Sequence, residues 1–199
     1  MKKITFVFLC LIFLFLLFKL SGTFALLESK TQRVVQSDVA TWTILVNNTD
    51  ISDSSTSFTI DKINWNKSSS VKEGKVAPGV SGYFDIVIDP NNTDVSIRYD
   101  IVFDFSSLSN TAINVENINE TSGNNIVQTS NNKYTGIIKL SDINNNVTNK
   151  IRVNLKWSNN EENNEQDYEL GKNPNTVLKI PVVVEVSQYT GEEIISYLE

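Results

Sequence analysis

The 199-residue sequence predicts an all-β protein: an antiparallel β-sandwich preceded by an N-terminal hydrophobic signal or anchor helix. Three observations predict it. Apolar and polar residues alternate with period two in several segments, as in strands with one buried and one wetted face. Turn-forming residues, notably Ala77-Pro78-Gly79 and Asp89-Pro90-Asn91-Asn92, lie between those segments. No long helical period separates them, which favours sheet packed on sheet.

Met1-Lys2-Lys3 is a short basic leader, and Ile4–Phe18 follows without a charge. Lys19, Leu20 and the stretch Ser21-Gly22-Thr23-Phe24-Ala25 complete the order of a secretory signal peptide. Cleavage then falls between Ala25 and Leu26, with Thr23 a poorer residue than alanine at the third position before the cut. An uncleaved membrane anchor is the second reading. Residues 4–20 fall at the short end of the roughly 20 apolar residues that span a bilayer, and Lys19 can snorkel to the interface. Lys2 and Lys3 hold the N-terminus in the cytoplasm, so the remainder is extracytoplasmic under both readings. A lipoprotein fits poorly, because Leu9 precedes Cys10 where a small residue is needed.

Residues 26–37 read as an extended N-terminal arm, and residues 38–190 as one sandwich domain. Its first strand is Ala40–Val46, with Ala40, Trp42, Ile44 and Val46 on one face. Tyr83–Asp89 places Phe84, Ile86 and Ile88 inward, and Val95–Phe105 does so with every odd position. In Lys150–Ser158 the inward set is Ile151, Val153, Leu155 and Trp157. Leu178–Val186 repeats the pattern at even positions, while Pro181 on its other face assigns that strand to an edge or a bulge. Phe58–Ile60 and Tyr134–Leu140 are weaker strands, and Asn-rich runs read as solvated loops. Thr190–Glu199 reads as a short C-terminal helix or tail over 191–199, capped by Thr190 with Glu192 and Glu193 in its first turn.

Composition removes whole chemistries. The chain has no histidine, so there is no His-based triad, His–Zn site or imidazole proton shuttle. Its single Cys10 lies in the hydrophobic block, so the exported part has neither disulfide nor thiolate cluster. Without residues 1–25, which hold three lysines and no acid, 14 bases face 23 acids, a net −9. That balance argues against nucleic acid or anionic lipid as a partner. The composition calls for no cofactor and no metal.

The remaining constellations have bland explanations. Glu161, Glu162, Glu165, Asp167 and Glu169 could hold Ca²⁺, but they lack the spacing of a known Ca²⁺ loop and read better as a solvated, charge-rich loop. Asp85 with Asp89, and Asp100 with Asp104, share strand faces, which invites a glycosidase carboxylate pair, yet outward-facing strand residues explain them better. Trp42 and Trp157 fall on apolar faces, whereas Trp65 is left open to a sugar-stacking role. Five Asn-x-Ser/Thr sequons start at Asn47, Asn66, Asn91, Asn119 and Asn146, in a chain rich enough in Asn to produce them by chance.

One family resemblance has residues to rest on. Trp42–Val46, the run Ala77-Pro78-Gly79-Val80-Ser81-Gly82-Tyr83-Phe84, Val95–Ile101, Leu155-Lys156-Trp157 and Ile180-Pro181-Val182-Val183-Val184 resemble, in order, the TasA/camelysin-like exported proteins. The resemblance covers nearly the whole chain through short, permissive motifs. It implies a jelly-roll-like sandwich, export through a SipW-type signal peptidase and, in the best-known members, assembly into biofilm-matrix fibres. The peptidase label carried by some relatives finds nothing here, because no His-Glu-x-x-His helix exists.

The sequence therefore predicts an exported, non-enzymatic structural or surface protein that self-associates into filaments. In that reading the freed arm adds to a neighbour's sheet edge, with Val34 and Val35 as the donated side chains. The alternatives are a membrane-anchored carbohydrate- or protein-binding surface module, and a hydrolase, for which no convergent carboxylates are evident.

Overall fold

The alternating segments become two antiparallel sheets packed face to face across one apolar layer. The computed structural model describes residues 6, 8–9, 11–13, 39–51, 55–73, 75–91, 93–123, 126–172 and 178–197. The chain divides into two units, Met1–Val39 and Ala40–Glu199. In the first, Phe6, Phe8, Leu9, Leu11, Ile12 and Phe13 are helical and exposed. Among the described residues no helix is long and apolar enough to cross a membrane.

The second unit carries eleven strands among its described residues: β1 (Leu45–Val46), β2 (Thr49–Asp50), β3 (Ser55–Ile60), β4 (Asn64–Trp65), β5 (Ser81–Asp89), β6 (Ile97–Phe103), β7 (Ile113–Ser122), β8 (Val127–Ser130), β9 (Lys133–Ile138), β10 (Asn149–Trp157) and β11 (Ile180–Gln188). One sheet has the order β2-β1-β5-β10-β7, with β4 also paired to β5. The other has the order β3-β11-β6-β9-β8. Phe84, Ile86 and Ile88 of β5 and Ile151, Val153 and Leu155 of β10 are buried from one side. Tyr99, Ile101 and Phe103 of β6 and Val182, Val184 and Val186 of β11 are buried from the other. Each such side chain contributes about 1.5–3 kcal/mol relative to exposure.

A buried polar bridge joins the two sheets. Asn149 Nδ2 on β10 donates to Tyr99 Oη on β6 at 2.9 Å, both residues being fully buried. Burial pushes the Tyr99 phenol up to about 12, so it stays a neutral hydroxyl. The ring lies across Gly136, its register partner on β9, where a Cβ would stand 2.2 Å from Cζ and Oη. The same device recurs at the surface: Trp65 on β4 covers Gly82, its partner on β5.

Several expectations are corrected. The predicted strand at Ala40–Val46 shrinks to β1. Ahead of it, Thr41 and Thr43 bond Asp94 and Thr93 instead of a ladder: Thr41 N and Oγ1 each donate to Asp94 Oδ2 at 2.7 Å, and Thr93 Oγ1 donates to Thr43 O at 2.7 Å. Pro181 lies in neither an edge strand nor a bulge, because β11 runs between β3 and β6. It is tolerated because β6 has just ended there. Asp104 N still donates to Pro181 O at 2.9 Å, and only the reciprocal bond is missing.

The acidic stretch is helical rather than a loop, with a 3₁₀ turn at Glu161–Asn163 running into a helix at Asn164–Lys172. Acids in its first turn and Lys172 in its last complement the helix dipole. The C-terminal helix does not form over the described residues 190–197. Thr190 bonds Glu192 locally through its hydroxyl, and Tyr197 N donates to Gln128 O of β8 at 2.7 Å, which ties the tail to that strand at one point.

Candidate functional site

The cleavage residues Ala25 and Leu26 and the arm residues Val34 and Val35 lie outside the described residues. The folded domain offers three further places to look: the charged outer faces, the open sheet edges and the groove beside Trp65.

The aspartates of the outer faces do not converge. Asp85 on β5 faces Arg152 on β10 and accepts from its Nε at 2.7 Å and from Nη2 at 2.9 Å. Lys150 adds a contact at 3.1 Å, and the guanidinium lies 3.7 Å from the Tyr83 ring centroid. These hydrogen bonds, Arg152 foremost, hold the Asp85 carboxyl below the usual carboxylate range against the opposing effect of burial. Asp100 has a similar cage: burial raises its pKa, but Thr135 Oγ1 at 2.5 Å, Lys133 at 3.1 Å and Arg98 at 3.3 Å more than offset it. Asp89 accepts from Asn91 N at 2.8 Å and Asp104 from Ser106 N at 2.9 Å, so both close turns. Each of the four has a structural partner.

These cages give the protein an acid-labile stability with a definite sign. The folded pKa of Asp85 and of Asp100 is depressed. Their contribution is therefore complete above the unfolded value of about 3.9 and is lost as pH falls through the folded value. The denaturant midpoint is expected to stay level from pH 7 to about pH 5 and to fall below about pH 4. Asp85→Asn should lower the midpoint at pH 7 and flatten that acid limb. A wild-type acid limb in the variant would refute the assignment.

The acidic helix meets the core through Leu170, which packs against it, and through a hydrogen bond to Trp157. Trp157 Nε1 donates to Asp167 Oδ1 at 2.6 Å, which satisfies the indole N–H of a residue 6 % exposed. Glu169 pairs with Lys172 at 2.7 Å. Among the described residues no three metal-ligating side chains gather. Three of the five sequon asparagines also follow from local geometry. Asn47, Asn91 and Asn146 take positive φ, the left-handed turn conformation that asparagine tolerates best after glycine.

The edges differ in how they are guarded. β7, the ten-residue edge of its sheet, was invisible to period-two reading. Against β10 its register skips Glu116 and Thr121; the bulge at Glu116 shifts the inward phase from Ile113 and Val115 to Ile118 and Glu120, and the one at Thr121 reverses it again. Bulges and the acids Glu116 and Glu120 blunt that edge. β8 takes one backbone hydrogen bond from the C-terminal tail, at Gln128. β3, Ser-Thr-Ser-Phe-Thr-Ile, has no charge, proline or bulge and pairs regularly with β11 alone. Pro181 O faces β6, so by alternation Ile60, Phe58 and Thr56 bond β11, while Ser55, Ser57 and Thr59 turn their backbone groups outward.

Trp157 is buried in the core, and Trp42 and Trp65 are both partly buried and packed against it. The Ala77–Phe84 run that carries the resemblance acts structurally. Gly79 takes φ +89° after Pro78, and its N–H donates to Trp157 O at 2.8 Å. The turn thereby sets β5 beside β10, and Gly82 admits the Trp65 ring. Compared with known families, curated proteins and solved structures, the chain finds no match.

Proposed function

We propose that this is an exported, non-enzymatic structural protein of the TasA/camelysin-like kind, built as a jelly-roll-like sandwich. It would leave the cell through a SipW-type peptidase and self-assemble into surface or matrix fibres when the arm 26–37 of one copy adds to a sheet edge of the next. The observation that carries the reading is β3, a six-residue, uncharged edge with three outward-facing sets of backbone groups and no partner on that side among the described residues. Such an edge is a template for strand addition unless something covers it. Donation from copy to copy without closure builds a filament. Successive strands from β5 to β7 alternate between the two sheets, in keeping with a jelly-roll winding.

The test starts from the intact mass of the exported protein in medium and membrane fractions. A mass beginning at Leu26 makes the arm free to donate. Deleting residues 26–37 should then abolish sedimentable filaments and leave a folded monomer. Ser57→Pro should do the same, because it removes an outward N–H without removing a ladder bond. Filaments that persist in both variants would sink the mechanism. A full-length mass found only in membranes would instead make the protein a surface module anchored through residues 4–20.

A further inference from the structure

The fifteen residues 66–80 that join β4 to β5 form neither strand nor helix at any described position. Connections of this length without regular structure are uncommon. Here the connection borders a hollow of about 570 Å³ beside Trp65, inside the roughly 300–1,000 Å³ of small-ligand sites. Ile63, Trp65, Val71 and Val76 give it an apolar lining. A second hollow of about 310 Å³ shares Ile63, Trp65 and Val76, so the indole borders both.

Charge sets the place against the chain's acidic balance. Residues 61–76 hold four lysines and two acids, in a chain of 17 bases and 23 acids. Lys67 pairs with Glu73 at 3.4 Å across the loop. Lys72 and Lys75 line the larger hollow and Lys62 the smaller; none of the three makes an ion pair among the described residues. An aromatic surface flanked by unpaired ammonium groups suits a ligand with an apolar C–H face and acidic substituents. A peptide would want a sheet edge, and β4 offers only two residues.

We infer that the Trp65 groove binds an acidic polysaccharide, with a sugar ring on the indole and its carboxylate or phosphate groups against Lys62, Lys72 and Lys75. The site uses neither the N-terminal arm nor β3, so it stands or falls independently of filament assembly.

The test is titration calorimetry of the exported protein at low salt with four probes: polygalacturonate oligosaccharides, poly(glycerol phosphate), neutral dextran oligosaccharides and poly-glutamate. One or both acidic polymers should bind and dextran should not, the tighter of the two identifying carboxylate or phosphate as the preferred acid. Lys72→Glu/Lys75→Glu should weaken binding about tenfold with an unchanged unfolding midpoint, since both side chains are exposed. Trp65→Leu, which keeps an apolar cover over Gly82, should also weaken it and remove the ligand-induced change in tryptophan fluorescence. Equal binding of poly-glutamate would make this an acidic-peptide site. That result, no binding of either acidic polymer, or wild-type affinity in the lysine variant would each overturn the inference.

Discussion

Gly136→Ala is expected to lower the unfolding free energy by roughly 3 kcal/mol, read as a shifted denaturant midpoint with an unchanged slope. The added methyl would stand 2.2 Å from Cζ and Oη of Tyr99. That ring cannot retreat, because it is fully buried and tied to Asn149 of the facing sheet. Relief requires either β6 to part from β9 or the hydroxyl to leave Asn149 Nδ2, which breaks a fully buried hydrogen bond between the sheets. Gly171→Ala is the control. It lies in the helix Asn164–Lys172, a Cβ there meets nothing within 4 Å, and the change should stabilise by about 0.5–1 kcal/mol. Equal behaviour of the two variants would refute the packing argument.

Phe103→Ala should cost about 3–5 kcal/mol. The ring is 2 % exposed and stands at the meeting point of the two sheets. It stacks on Phe105 at 5.3 Å, meets Tyr134 edge-on at 6.0 Å and reaches Phe84 of the opposite sheet at 6.3 Å. Four aromatic side chains share that volume, and neighbours of that size cannot collapse into the space left behind. Phe103→Leu, which keeps most of the volume, should cost well under half as much. A loss below about 1 kcal/mol for the alanine variant would mean the layer is loosely packed there.

The difference between edges bears on assembly. β7 is longer than β3, yet its two bulges and two glutamates make it the worse template. Length alone would have chosen the wrong acceptor. The groove beside Trp65 depends likewise on a local departure from the whole: the chain's net charge of −6 opposes polyanions, while the 61–76 loop concentrates lysines against that background.

Legibility followed the physics of each element. β5, β6, β10 and β11 could be read residue by residue because each buries one face and wets the other, which writes a period of two into the sequence. β7 could not, since each bulge reverses the phase and breaks the alternation that a regular strand would show. The acidic run read as loop because its apolar content is low, although end charges and the Trp157–Asp167 bond support a helix. For the tail the reverse holds: capping residues are present at 190–193, but the backbone bond from Tyr197 to β8 competes and wins.

By itself, then, the sequence determined the class of fold, the inward faces of its main strands and the chemistries that a chain without histidine cannot perform. Those properties depend on neighbours along the chain and on composition. Only the tertiary structure decided which strand is central and which is an edge, that Pro181 sits where a ladder ends, and that Gly136 and Gly82 exist to admit rings from another strand. It also gathered Lys62, Lys72 and Lys75 around Trp65. Each of these is a relation between residues from different strands or turns of the fold, and the period of a single strand carries no record of its partner.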